Sequence, residues 1–306
     1  MNYWLDVDTG IDDAVALLAA AGALEAERFA WVSTVAGNVA LPAVVENTRR
    51  ILAAAGREDV AVYVGADRPL VRDAVDAAYA HGASGLGSVS LSAATRAPAG
   101  DLRDLLSRLE AAPDASVTLV PTGPLTNIAL LCRLAPALMQ RKVARTVWMG
   151  GGRGLGNITV AAEFNAFADP EAAAIVLAVL EPVTVVDLNT TRAAALRRAE
   201  VAELGRAGSP LARLACRLLE DPQYGGGPSA DDRVVVHDAV ALLEAVRPGA
   251  MFSTTRLAVE VDLSHGPSYG ATLVGRKARG PTADWPLEPV RERFAALLAE
   301  ALGAGR

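Results

Sequence analysis

The sequence predicts an α/β protein: a single-domain, Rossmann-like, mostly parallel (mixed) sheet with helices on both faces, spanning residues 1–306. Short apolar runs alternate with longer Ala- and Leu-rich amphipathic stretches, the rhythm of successive β-α-β units. No internal repeat or interdomain linker interrupts that rhythm. The composition is that of a globular domain, with 52% hydrophobic and 21% charged residues and only 27 Gly and 17 Pro.

In chain order, the apolar run at 3–7 reads as a strand that passes through a turn at 8–10 into a helix over 13–21. A strand at 29–35 and a helix at 42–55 follow, then strand 60–64, helix 102–111 and strand 117–120. Helix 125–134 leads to strand 145–150, which enters Gly150-Gly151-Gly152, and helix 170–180 precedes strand 183–187. Two segments break the pattern. Residues 80–100 are rich in Gly, Ala and Ser, and 221–232 are polar and Gly-rich. Both read as plain surface loops, with mobile loops that close over a site at the carboxyl edge of such a sheet as the alternative.

Charge and cysteine content narrow the function classes. Twenty-nine Lys and Arg against 35 Asp and Glu give a net charge of −6, the wrong balance for binding by phosphate neutralisation, so no nucleic-acid partner is expected. The two cysteines, Cys132 and Cys216, lie in apolar helix-like segments and read as buried free thiols in a reducing compartment. No Lys or Arg precedes Arg28, so the charged start of a signal peptide is missing. The uncharged run 115–132 is broken by Pro121, Gly123, Pro124 and Asn127, which do not suit a lipid-spanning helix. A soluble, cytoplasmic protein with no membrane partner is the expectation.

The chemistry concentrates at the end of the first strand. Asp6-Val7-Asp8-Thr9-Gly10-Ile11-Asp12-Asp13 places four carboxylates in one strand–helix junction. Helix capping, for instance by Asp12, accounts for one of them. Four repel one another unless a cation or bound hydroxyls offset the charge, and hard oxygen ligands suit Ca²⁺ or Mg²⁺ rather than Zn²⁺. One candidate pattern is that of haloacid-dehalogenase-type phosphatases. Asp6-Val7-Asp8 fits it, but Gly10 departs from it and no acidic pair follows Lys142.

A second pattern matches further. Asp6 to Ala14 resembles the opening signature of the nucleoside hydrolases. Thr34-Val35-Ala36-Gly37-Asn38-Val39, His81-Gly82-Ala83-Ser84-Gly85 and Pro121-Thr122-Gly123-Pro124-Leu125-Thr126-Asn127 are similar to later motifs of that family, in its order. So are Met149-Gly150-Gly151-Gly152, Gly156-Asn157, Ala162-Glu163-Phe164-Asn165, Asp169-Pro170-Glu171-Ala172 and His237-Asp238. The matches span most of the chain. The resemblance implies the nucleoside hydrolase fold and Ca²⁺-dependent hydrolysis of the N-glycosidic bond of a small-molecule ribonucleoside to free base and ribose, in nucleoside salvage. It also implies a homodimer or homotetramer.

Roles follow from the resemblance residue by residue. Asp8, Asp13 and Asp238 would hold Ca²⁺ by carboxylate and Thr122 by its backbone carbonyl. Asp8 would also act as general base on the attacking water. Asp12, Asn38, Asn157, Glu163 and Asn165 would hydrogen-bond the ribose, with Met149 packing on the sugar and Phe164 lining the pocket. For these last two, ordinary core packing is an equal reading. His237 would protonate the departing base, and His81 would face it. This pair of histidines resembles the inosine–uridine- or pyrimidine-preferring branch. Tyr224 could contact the base or be an exposed aromatic, Trp148 reads as packing, and His265 as an ordinary histidine. The sequence departs from the family at Thr9, where Pro is usual, and at Asp187-Leu188-Asn189-Thr190-Thr191-Arg192. A homologue that binds a ribosylated ligand without turning it over would share the resemblance. The intact set Asp8, Asp13, Asn165, His237 and Asp238 argues for an enzyme.

Overall fold

Asn2–Val7 form strand β1, and from Tyr3 onward every residue is buried, as in a strand covered on both faces. Its side chains alternate: Tyr3, Leu5 and Val7 join one apolar core and Trp4 the other. The structure, a computed structural model, describes residues 1–206, 208–224, 232–276, 278–287 and 291–304. After β1 come α1 (Ile11–Ala23), β2 (Phe29–Thr34), α2 (Leu41–Ala54), β3 (Ala61–Val64), α3 (Ala78–His81), β4 (Gly100–Asp101) and α4 (Leu102–Ala111). β5 (Val117–Pro121), α5 (Thr126–Leu134), α6 (Pro136–Lys142), β6 (Val143–Met149), α7 (Phe164–Ala168), α8 (Pro170–Val179) and β7 (Val183–Val186) continue the series. The remainder is α9 (Leu188–Ala193), β8 (Leu196–Arg197), α10 (Arg198–Arg206), α11 (Pro210–Leu219), β9 (Arg233–Val234), α12 (His237–Val246), β10 (Thr254–Val261), β11 (Thr272–Gly275), β12 (Thr282–Pro286) and α13 (Arg291–Ala301).

One ten-stranded sheet, in the order β11-β10-β12-β7-β6-β5-β1-β2-β3-β4, organises these elements. From β12 through β4 every neighbouring pair runs parallel, whereas β10 pairs antiparallel with both β11 and β12. The mixed character expected from sequence therefore comes from the last three strands. Helix α1 packs against α2, α11, α12 and α13 on one face, and α5 against α8 on the other. Residues 11–20 of α1 are all buried, so this helix is apolar on every side except at its acidic start. Cys132 and Cys216 are buried and unpaired as expected, and burial raises their thiols to about 12 and about 11. Among the described residues, no helix is long and apolar enough to cross a membrane.

The segment 80–100 differs from a free loop. It starts in the one-turn helix α3 and is pinned by side chains on both sides. Asn47 Nδ2 donates to the Ser84 carbonyl at 2.8 Å, and the Ser88 amide and hydroxyl donate to Asp221 at 2.7 and 2.6 Å. Most of the second expected loop, residues 225–231, lies outside the described residues.

Candidate active site

Parallel strands present their carboxyl ends at one edge of the sheet, where doubly wound folds place their ligands. Asp8 follows β1, Asn38 follows β2, Thr122 follows β5, and Met149 ends β6. Asp12 and Asp13 lie in the first turn of α1, and His237 and Asp238 open α12, so the carboxylates sit at helix N-termini, where negative charge is favoured. The cap of α1 is Gly10 rather than Asp12. Gly10 has no side chain to offer, and the Asp13 carboxylate reaches back to accept its amide at 2.9 Å.

Asp13 is held on both oxygens, Oδ1 by the Thr122 hydroxyl at 2.7 Å and Oδ2 also by Asn38 Nδ2 at 3.1 Å. Asp8 Oδ2 accepts the Asn38 amide at 2.8 Å, while its Oδ1 is buried with no hydrogen-bond partner. Asp12 Oδ1 is likewise buried and unpartnered. Two glycines let the backbone crowd Asp8. A Cβ at Gly37 would stand 2.1 Å from Asp8 Oδ2, and one at Gly123 3.0 Å from its carboxyl carbon. Thr9, in the position where the family motif has Pro, anchors the turn differently, with its hydroxyl 2.6 Å from that of Thr48 on α2.

Asp12, Asp13 and Asp238 bring ligand atoms within 4.8 Å of one another. Burial raises Asp12 and Asp13 to about 6, with repulsion from Asp12 adding to it at Asp13, and burial together with the neighbouring carboxylates pushes Asp8 and Asp238 well above the usual carboxylate range. Buried carboxylates packed this closely, two with an orphaned oxygen, make a hard-oxygen set suited to a divalent cation such as Ca²⁺. The group that meets this limit contains Asp12 and does not include Asp8. The Thr122 carbonyl accepts from Asn165 Nδ2 at 2.7 Å.

A cavity of about 460 Å³ opens over this cluster. Every residue to which the resemblance gives a site role lines it except Asp8 and Asp13, which are fully buried beneath. Glu163 accepts three backbone amides, from Gly151, Asn165 and Ala166, and so caps α7 as well as facing the cavity; burial raises it to about 7. Asn157 Oδ1 takes the Phe164 amide at 2.8 Å, which leaves its NH₂ group for a ligand. Met149 and Phe164 are buried yet reach the cavity, so packing and lining coincide.

His81 Nδ1 accepts the Ile11 amide at 3.1 Å, and His237 Nδ1 lies 2.8 Å from the Thr191 hydroxyl. Burial lowers His81 to about 4 and His237 to about 3, so both rest as neutral imidazoles. Tyr224 is buried, its ring 5.9 Å from that of His81 and its hydroxyl donating to the Val235 carbonyl. Trp148 is core and His265 is exposed, stacked on Tyr269 at 4.6 Å. Sequence reasoning missed Tyr79, Arg192, Arg198 and Arg233 in the cavity wall. Arginine supplies nearly all of this chain's positive charge, so nothing marked these three.

Asp6 has no place in the cavity. Its Oδ1 accepts from Ser33 and from Asn127 Nδ2 within the core, and burial lifts it to about 7. The phosphatase pattern, which needs both Asp6 and Asp8 at the reacting group, is therefore set aside.

Comparison with known proteins agrees with this geometry. The chain matches the family described as inosine-uridine preferring nucleoside hydrolase over residues 3–296. It is 35% identical over 314 residues to the pyrimidine-specific ribonucleoside hydrolase RihA of Salmonella paratyphi A, covering 97% of each chain. With that of Shewanella sp. (strain ANA-3) it shares 36% over 282 residues, covering 89% of this chain and 86% of the relative. Among solved structures, the plant nucleoside hydrolase PpNRh1 superposes with a TM-score of 0.90 at 29% identity, over 100% of this chain and 99% of that one. The purine-preferring ribonucleoside hydrolase from Gardnerella vaginalis gives 0.87 at 25% identity, over 99% and 98%. The chain belongs to the inosine-uridine preferring nucleoside hydrolase family, enzymes that cleave the N-glycosidic bond of ribonucleosides.

Proposed function

We propose that this enzyme hydrolyses ribonucleosides with the help of Ca²⁺, favours pyrimidine bases, and releases free base and ribose. The observation that carries the reading is the meeting, in one cavity, of a buried carboxylate cluster, a set of amide and carboxylate side chains suited to sugar hydroxyls, and two histidines. Asp8, Asp13, Asp238 and the Thr122 carbonyl would hold the ion, with Asp12 close enough to join them. Calcium would offset the clustered negative charge and bind ribose hydroxyls by their oxygens.

The protein's own groups do the rest. Cleavage passes through a ribosyl cation, which the surrounding carboxylates stabilise. Asp8, with its unpartnered Oδ1, takes the proton of the attacking water. Asn38, Asn157, Glu163 and Asn165 orient the sugar, and Met149 and Phe164 exclude water from its apolar face. His237 delivers a proton to the departing base. Because burial keeps it neutral at rest, it takes up a proton from solvent in the substrate complex, where charge building on the base favours an imidazolium, and passes that proton to the base as the bond breaks. Pyrimidine preference is supported by the named activity of the curated relatives and by the aromatic lining. The four tryptophans are all core residues, which leaves no indole in the cavity to stack a purine.

Free-ribose release from uridine, cytidine, inosine, adenosine and guanosine, with wild type and Asp8→Ala, tests the reading. Turnover that is fastest on the pyrimidines and lost in the variant is expected. No release from any of the five with calcium supplied would overturn it.

A further inference from the structure

We propose that Thr191 is a positioning residue that fixes which nitrogen of His237 meets the base; the idea rests on the nucleoside reading above. Thr191 is fully buried in α9. Its hydroxyl lies 2.8 Å from His237 Nδ1 and 3.1 Å from the Leu188 carbonyl. A hydroxyl has one hydrogen to give, and a carbonyl can only accept. The proposal assigns that hydrogen to Leu188, which leaves the Thr191 oxygen as acceptor and His237 Nδ1 carrying a hydrogen of its own. Nε2 is then the ring nitrogen that deals with a ligand in the cavity that His237 lines. This holds whether the imidazole is neutral or charged, since Nδ1 keeps its hydrogen in both forms. His81 is wired the other way. Its Nδ1 accepts the Ile11 amide, so its hydrogen lies on Nε2. The two histidines thus present unlike nitrogens to whatever lies between them, and on the α12 side the difference is set by a single threonine hydroxyl in a segment that departs from the family pattern.

Two measurements test this, one of them independent of turnover. In the long-range ¹H–¹⁵N spectrum of histidine-labelled enzyme, assigned among three histidines with His237→Ala, His237 is expected in the Nδ1–H form and His81 in the Nε2–H form. Thr191→Val should abolish the single His237 form, and Thr191→Ser should restore it. An Nε2–H form of His237 in the wild type would overturn the proposal. The second readout is the ratio of kcat on uridine to kcat on 4-nitrophenyl riboside, a substrate with no nucleobase to contact. Outer-shell partners that fix the tautomer of a metal-bound histidine cost about 10–100-fold when removed; with an effect of that size here, Thr191→Val should lower this ratio at least about tenfold, and Thr191→Ser should recover it. An equal fall on both substrates would mean a merely structural residue and would overturn the assignment. If the wild type turns over no nucleoside, the functional reading fails, while the spectrum still decides whether Thr191 sets the tautomer.

Discussion

The floor and the wall of this cavity are built in different ways. Asp8, Asp12 and Asp13 come from one strand–helix junction, and much of their support is backbone: the amides of Gly10 and Asn38, and the close approach that Gly37 and Gly123 allow. The wall gathers His81, Arg192, Tyr224 and His237 from separate stretches of chain, tied by side-chain contacts such as Thr191 to His237 and Ser88 to Asp221. On the proposed function, a floor held by the sheet would carry the chemistry every nucleoside shares. A wall held by individual side chains can change base preference without disturbing that chemistry.

The comparison can be broken experimentally. The largest effect should come from Asp8→Ala, with kcat down about 10²–10⁴-fold on all five nucleosides alike; a loss confined to some bases would show that the floor also selects. Calcium at about 100 times its Kd should stabilise the chelated protein by about 2.7 kcal/mol in urea titrations, and no change would remove the ion from the floor. His81→Ala should shift the uridine-to-inosine ratio of kcat/KM by up to about tenfold, the size of one lost hydrogen bond, where a uniform loss would make His81 part of the common machinery. Thr9→Val removes the tie to Thr48 and should cost about 1 kcal/mol of stability with little change in base preference.

The smallest effect concerns the back of the wall. There Glu200 on α10 pairs with Arg291 at 2.7 Å. Burial alone would raise Glu200, but Arg291 and Arg197 overcome it and hold the carboxyl at about 2, below its ordinary 4.5. A depressed carboxylate stabilises the fold above its unfolded value and loses that contribution as pH falls toward its folded one. The stability gap between wild type and Arg291→Ala, about 0.2–1 kcal/mol for such a pair, should therefore close as pH drops from about 5 to about 2. A gap that widens on acidification would contradict the assignment.

The floor was legible in the sequence because its residues sit in short motifs at the ends of buried apolar strands, where both the period and the punctuation are strong. Strands β1, β2, β5 and β6 were located to within a few residues for the same reason. Strands β10 to β12 carry no comparable signal: β10 is half-exposed and irregular in its burial, so neither alternation nor a continuous apolar run stands out. Thr191 behind His237 and Arg192 in the cavity wall were also invisible, since their placement depends on α12 returning beside α9, a contact between distant parts of the chain.

The placement of Asp238 bears on how the protein is made. Synthesis from the amino terminus delivers β1 through β7 and the first three clustered carboxylates long before α11, α12 and α13, the helices that cover α1. A ribosome-bound chain that stops short of α12 therefore exposes an apolar α1 and lacks the fourth carboxylate, which makes it a client for chaperones rather than a weak catalyst. Truncated products of this chain should carry no residual active centre, because the site closes only when one of the last helices reaches the first.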